Sequence, residues 1–322
     1  MKPSSKAFAI IASIVIVGVC LVYALTQAIP NVSFGSSVDV SMPSGDPLAL
    51  ESGDKLEIRS NLSGVTVTVD GNARGVSARL YGSFVGFGGE PELTVSRSGD
   101  TVTVRAGRDG IGFIGWSSNM KLDVVIPAGF SGDLSCESSA GPVALNADLS
   151  LKSLYAHSSA GQVTVQNVTA QGSVEVSSSA GKVQTGDVIA STAKIETSAG
   201  RVDVRSCKAS KVKIHSSAGG VSAGGLSGKI EASSSAGPVN VTLLEVTDDA
   251  DVWSSAGGVQ VTLPNRANAG IEASSSAGSV TVSGLDLAYD VKKRDKVTGR
   301  LGDGGPNIKI HSSAGSVDVK GE

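Results

Sequence analysis

Cysteine is nearly missing from this 322-residue chain, which has three. Cys20 lies in an apolar run, and Cys136 and Cys207 stand several repeats apart, on the order of 15 Å if the repeats stack as parallel strands. A disulfide framework is therefore excluded, and both residues are expected to be small core hydrophobes. Aromatic residues make up only 4 %, so the interior must be narrow and filled by small side chains. Neither sign of charge dominates: the net charge is −3 and the pI about 5.7, which gives no case for nucleic acid as a partner. No Gly-x-Ser-x-Gly elbow, His-Glu-x-x-His, Walker-type loop or Cys-x-x-Cys is present. Gly302-Asp-Gly-Gly305 has too few ligands for a calcium loop. No cofactor and no metal are expected.

What the chain has in abundance is one phrase. Ser-Ser-Ala-Gly-x-Val, once varied to Thr-Ser-Ala-Gly-x-Val, recurs with its alanine at Ala140, Ala160, Ala180, Ala199, Ala218, Ala236, Ala256, Ala277 and Ala314. The gaps are near 20 residues until the last, which is 37. A fixed period of this length with strand-like content between the marks predicts a solenoid, one coil per repeat. The fold class is all-β: a single-stranded parallel β-helix with about 20 residues per coil, preceded by one transmembrane helix.

Aligned on the alanine, the repeats show which side chains face inward. Two positions before it stands a serine or Thr197, and six before it every residue is apolar, from Leu134 to Ile308. Valine always follows three positions after the alanine. This parity flip predicts a corner at Ala-Gly, where glycine lends backbone freedom. A third apolar column holds Val168, Val188, Cys207, Leu226 and Leu244. The inner serine is expected to bond a neighbouring backbone carbonyl, or its counterparts up the ladder. The outer serines Ser139, Ser159, Ser179, Ser198, Ser217, Ser235, Ser255 and Ser276 form a polar stripe, read either as a solvated edge or as a candidate ligand surface.

The remaining polar columns carry no catalytic constellation. His157, His215 and His311 share one outward column, about three and five coils apart by sequence, too far to share a metal. Glu231, Asp251 and Glu272 are the nearest approach to an acidic cluster. The most basic stretch runs from Lys292 to Arg300; Lys292, Lys293 and Arg294 are its candidate contacts for anionic polymer or lipid headgroups, the alternative being a solvated loop.

At the N-terminus, Ala7 to Leu25 carries no charge, with Lys2 and Lys6 before it. The length and the positive flank predict a signal anchor with the N-terminus inside; cleavage near Ala24 or Ala28 is the alternative. The expected order is a cytoplasmic tip (1–6), a transmembrane anchor (7–29), a linker (30–54), an irregular β cap or early coils (55–130) and the repeat solenoid (131–322), with an irregular coil at 283–307. The glycine-rich stretches Gly82 to Gly89 and Gly110 to Trp116 are expected to be loops.

With the lead-in Leu122-Asp-Val-Val-Ile-Pro127 and the closing Ile308-Lys-Ile-His-Ser-Ser-Ala-Gly315, the chain resembles the bacterial LiaG-like putative adhesin family, a domain of unknown function, over about residues 55 to 320. The resemblance implies a β-solenoid at the cell envelope and supplies no active-site residues. The expected function is a non-enzymatic, membrane-anchored, extracytoplasmic module that binds a cell-wall polymer or another envelope protein. The alternatives are a structural protein polymerising end to end through a bare C-terminal coil, and a polysaccharide-active β-helix enzyme. Oligomeric state is left open.

Overall fold

A computed structural model describes residues 32–42, 48–87, 90–107 and 115–322. These residues form strands and turns and no helix. The cytoplasmic tip and the expected membrane span lie outside them.

Alternating sequence produces alternating burial. Asp133–Ser138 and Ser153–Ser158 each switch between half-buried and buried side chains at every residue, as strands with one face on a core do. Each repeat adds one parallel rung to this first face, here called sheet I. Leu134 pairs with Leu154, then Val174, Ala193, Val212, Ile230 and Ala250 follow in register. All of them are buried. Beyond the corner, Val143, Val163, Val183, Val202, Val221, Val239 and Val259 stack likewise into sheet II. Each such side chain contributes about 1.5–3 kcal/mol when fully buried. The third column is Val168, Val188, Cys207 and Leu226 as expected, but ends on Leu243. Leu244 is 49 % exposed, because the register shifts after Ala223 and the next coil is one residue shorter there. Cys136 and Cys207 are free and buried.

The corner is held by a repeated pair of hydrogen bonds. Ser158, Ser178, Thr197, Ser216, Ser234 and Ser254 each donate their hydroxyl to the corner glycine carbonyl of the preceding coil, at 2.7–2.8 Å. Ser216, Ser234 and Ser254 also accept from the glycine N–H of their own coil. The carbonyl partner was legible in the sequence; a serine-to-serine ladder does not form along these corners. Glycine acts through space and not through unusual backbone angles. The corner glycines are absent from the glycines with positive φ, yet a Cβ on Gly237 would sit 2.5 Å from the backbone of Gly219.

Both ends of the array depart from chain order. Lys55–Ser60 lies between Thr101–Gly107 and Asp133–Ser138, so the second segment to be made forms the outer coil. The antiparallel strand Glu92–Ser98 covers its edge on sheet I. On sheet II the antiparallel strand Gly75–Phe87 plays that part. Gly82–Phe87 is thus strand and not loop, while Gly88–Gly89 and most of Gly110–Trp116 lie outside the described residues. Val32–Ser41, within the range read as linker, pairs with Gly75–Phe87.

At the other end the last repeat is intercalated. Asn307–Ser312 pairs with Ala250–Ser254 on one side and Ala269–Ser275 on the other. Val317–Gly321 likewise sits between Val259–Leu263 and Val280–Ser283. The expected irregular coil at 283–307 is instead an antiparallel hairpin, Leu287–Lys292 with Lys296–Leu301, laid over Ala269–Ser275. An open strand edge calls for cover, and a hairpin supplies it within few residues. The C-terminal coil is therefore not bare, and the outermost strand of sheet II at this end is Val280–Ser283, which forms a ladder with Val317–Gly321 alone among the described residues.

Candidate functional site

Sheet I presents the richest outer surface, because three outward residues per coil stand in straight columns. In register, the column three residues before the alanine reads Glu137, His157, Ser177, Glu196, His215, Ser233, Trp253, His311, Ser274. It is a three-coil succession: Glu-His-Ser twice, then Trp-His-Ser. Sequence order hides this, because His311 belongs to the inserted coil. The three histidines are thus three coils apart in both intervals, about 14 Å each, which corrects the unequal spacing expected from the sequence.

Each imidazole is bound in the same way. His157 Nδ1 shares a hydrogen bond with Ser177 Oγ at 2.9 Å, His215 Nδ1 with Ser233 Oγ at 2.9 Å, and His311 Nδ1 with Ser274 Oγ at 3.1 Å. Their Nε2 atoms face the outer serines of their own coils: Ser159 at 3.5 Å, Ser217 at 3.2 Å and Ser313 at 3.3 Å. Tyr155 stacks beside His157, with ring centroids 6.4 Å apart. Burial, and then Glu137 and Glu175, push the Tyr155 hydroxyl above its ordinary pKa. None of the three imidazoles hydrogen-bonds a carboxylate among the described residues. The same Ser-His contact therefore recurs three times on one face, with a hydroxyl at each ring nitrogen.

The outer serines Ser139, Ser159, Ser179, Ser198, Ser217, Ser235, Ser255 and Ser276 are all exposed. The intercalated Ser313 joins them, and shares the same offset from its alanine. Three of these serines join the column above through histidine, a link the spacing of two residues in His-Ser-Ser could have signalled. The expected acidic run is broken: Lys309 stands in register between Asp251 and Glu272.

The basic stretch covers the end of sheet I and reaches the corner beside it. Arg294 O accepts from Val280 N–H at 2.8 Å, and Asp295 O from Ser275 N–H at 2.9 Å. Lys292 lies over the Tyr289 ring at 4.3 Å, while Lys293 and Arg294 are exposed. The structure thereby brings Arg294 to the corner where Ser276 ends the stripe. Charges pair on both sheets: on sheet I Lys194 with Glu175 at 2.8 Å, on sheet II Arg205 with Asp187 at 2.7 Å and Lys182 with Asp203 at 2.8 Å.

The profile of the family described as Toastrack DUF4097 matches residues 54–320. Among solved structures, the chain is similar to a "putative adhesin" from Bacteroides fragilis, at 13 % identity over 89 % of this chain and 97 % of that one, with a TM-score of 0.44. It is similar to another from Parabacteroides distasonis, at 9 % identity over 89 % and 97 %, with a TM-score of 0.39. A "putative cell adhesion protein" from Clostridium sporogenes shares 10 % identity over 90 % of this chain and all of its own, with a TM-score of 0.31. No curated protein matches the chain.

Proposed function

Since the chain belongs to the Toastrack DUF4097 family, we propose that it is a non-enzymatic, membrane-anchored module whose solenoid faces the cell envelope and binds an extended polymer there along sheet I. The observation that carries this reading is the Glu-His-Ser, Glu-His-Ser, Trp-His-Ser column, with its serine stripe alongside. A rigid ladder of imidazoles and hydroxyls at equal intervals suits a long ligand better than a compact substrate. Repeated weak contacts along one rod multiply through effective concentration, so no single contact needs to be strong. The apolar run before the described residues supplies the anchor, and the lysines ahead of it set the orientation.

Retention of the purified protein on cell-wall sacculi, teichoic-acid-free sacculi and membrane vesicles tests the reading. Saturable retention on one fraction is expected, reduced about tenfold or more in a variant with His157→Gln, His215→Gln and His311→Gln, which removes all three nodes. Retention on none of them, or equal retention of the triple variant, overturns it.

A further inference from the structure

Sheet II begins with a feature that the repeat does not explain. Gly64–Asp70 pairs with Gly115–Pro127 only from Lys121 onward, and Gly64 lies at the corner, against Gly141 and Pro142. Gly115–Asn119 therefore runs on past the corner, with Gly75–Phe87 as its one ladder partner among the described residues. Val32–Ser37 pairs with the other edge of Ser83–Phe87. Three antiparallel segments thus overhang the solenoid by about 17 Å, at ~3.4 Å per residue.

Composition changes at this overhang. None of residues 32–37, 83–87 and 115–119 is charged, in a chain that is 18 % charged. They hold Phe34, Phe84, Phe87 and Trp116, half of the six phenylalanines and one of the two tryptophans. Charge resumes at the rung Asp39–Tyr81–Lys121, where Arg79 also pairs with Asp39 at 2.7 Å. The strands that cover sheet I are charged instead, with Glu92 and Arg97 in one and Asp290 and Lys292 in the other. Charge is one means by which an edge in water avoids other edges, so an uncharged aromatic overhang implies a cover other than water.

Where the chain enters the overhang says what that cover is. Val32 and Phe87 form its outermost rung. With the anchor read over 7–29, only Pro30 and Asn31 separate it from Val32, a reach of about 11 Å at most. The interfacial layer outside the hydrocarbon is itself about 5–7 Å deep. The outermost rung must then lie in that layer or just above it. Deeper entry is barred, because Gly115–Asn119 keeps one edge without a ladder partner among the described residues, and hydrocarbon does not accept such an edge. Tryptophan and phenylalanine suit the interfacial depth.

We propose that this overhang docks in the lipid interface beside the anchor, as a second membrane contact. The inference rests on the reading of 7–29 as an anchor. A lone span leaves the solenoid free to turn about the span's axis; aromatic rungs at headgroup depth fix which way it faces.

The test uses the full chain with Trp253→Phe, so that Trp116 alone reports. It is reconstituted in phosphatidylethanolamine and phosphatidylglycerol vesicles, with and without phosphatidylcholine brominated near the carbonyl end of its acyl chains. Trp116 is expected to lose about half or more of its emission to the brominated lipid, as an interfacial ring should. In the Trp116→Phe chain, Trp253 should keep its intensity. Adding Phe34→Ser, Phe84→Ser and Phe87→Ser to the Trp253→Phe chain should cut the quenching at least about threefold while the chain still floats with the vesicles. That variant should melt with its parent, because no coil forms a ladder with the overhang. Unquenched Trp116 in a floating chain overturns the docking and leaves the anchor standing; blue-shifted but unquenched emission means that protein covers the overhang, and overturns it too. Quenching that survives the three serines assigns the effect to the tether alone. A chain that does not float overturns the anchor reading and this inference with it.

Discussion

Replacing Ser216 by alanine isolates the bond that joins one corner to the next. The side chain is fully buried, donates to Gly200 O at 2.7 Å and accepts from Gly219 N at 2.9 Å. Alanine leaves one acceptor and one donor unmatched, each costing about 1–3 kcal/mol when water cannot reach it. Both glycines are partly open to solvent, so the sum should settle near the lower half, about 2–3 kcal/mol. In a stack where each coil touches only its neighbours, that loss is local, and native-state hydrogen exchange is the right assay. Amides of the 211–221 corner should lose about 30- to 150-fold in protection, at 1.4 kcal/mol per decade. Ser216→Thr should change little, because Thr197 makes the same bond to Gly181 O at 2.7 Å one coil earlier. Ser217→Ala, at an exposed position, should stay within about 0.5 kcal/mol. Protection unchanged within about twofold in Ser216→Ala refutes the argument. So does a threonine variant as damaged as the alanine one, since the effect would then come from size and not from the hydroxyl.

Further expectations follow from other parts of the array. Among the described residues Thr185 Oγ1 is buried without a partner, so Thr185→Val should stabilise the protein by about 1 kcal/mol in urea titration; destabilisation would mean the hydroxyl is bonded. Val317 is fully buried in the intercalated strand, and Val317→Asp should strip exchange protection from Val259–Leu263 and Val280–Ser283 together, whereas a terminal coil would expose only one neighbour. Burial pushes the Cys207 thiol up to about 12 and Cys136 further still. Below those values both are thiols, so neither should react with Ellman's reagent at pH 8 until denaturant is added; fast labelling of either in the native state would contradict the core assignment.

The repeat phrase by itself was enough to specify the coil. Period-2 alternation assigned every residue of the Leu134-to-Ile308 column to the interior, and the parity change at Ala-Gly located the corner. These are local properties of a strand and its pleat, so they can be read along the chain. The corner serine's carbonyl partner followed from the same logic, because identical coils must meet identically. Glycine's reason was misread for want of the third dimension: only stacking shows that another backbone occupies the space of its Cβ.

What tertiary structure alone decided is the order of the coils. A solenoid end exposes unpaired backbone, and this chain covers three of its four sheet ends with antiparallel strands, then returns to fill a rung left open further in. Nothing in the local pattern of Ile308–Val319 distinguishes a last coil from an inserted one, since each offers the same edges to either neighbour. Yet that choice places His311 between Trp253 and Ser274, restores the three-coil rhythm of the face and splits the acidic run with Lys309. Side chains far apart in sequence become a surface only through pairing across non-consecutive strands, and pairing is a property of the whole fold.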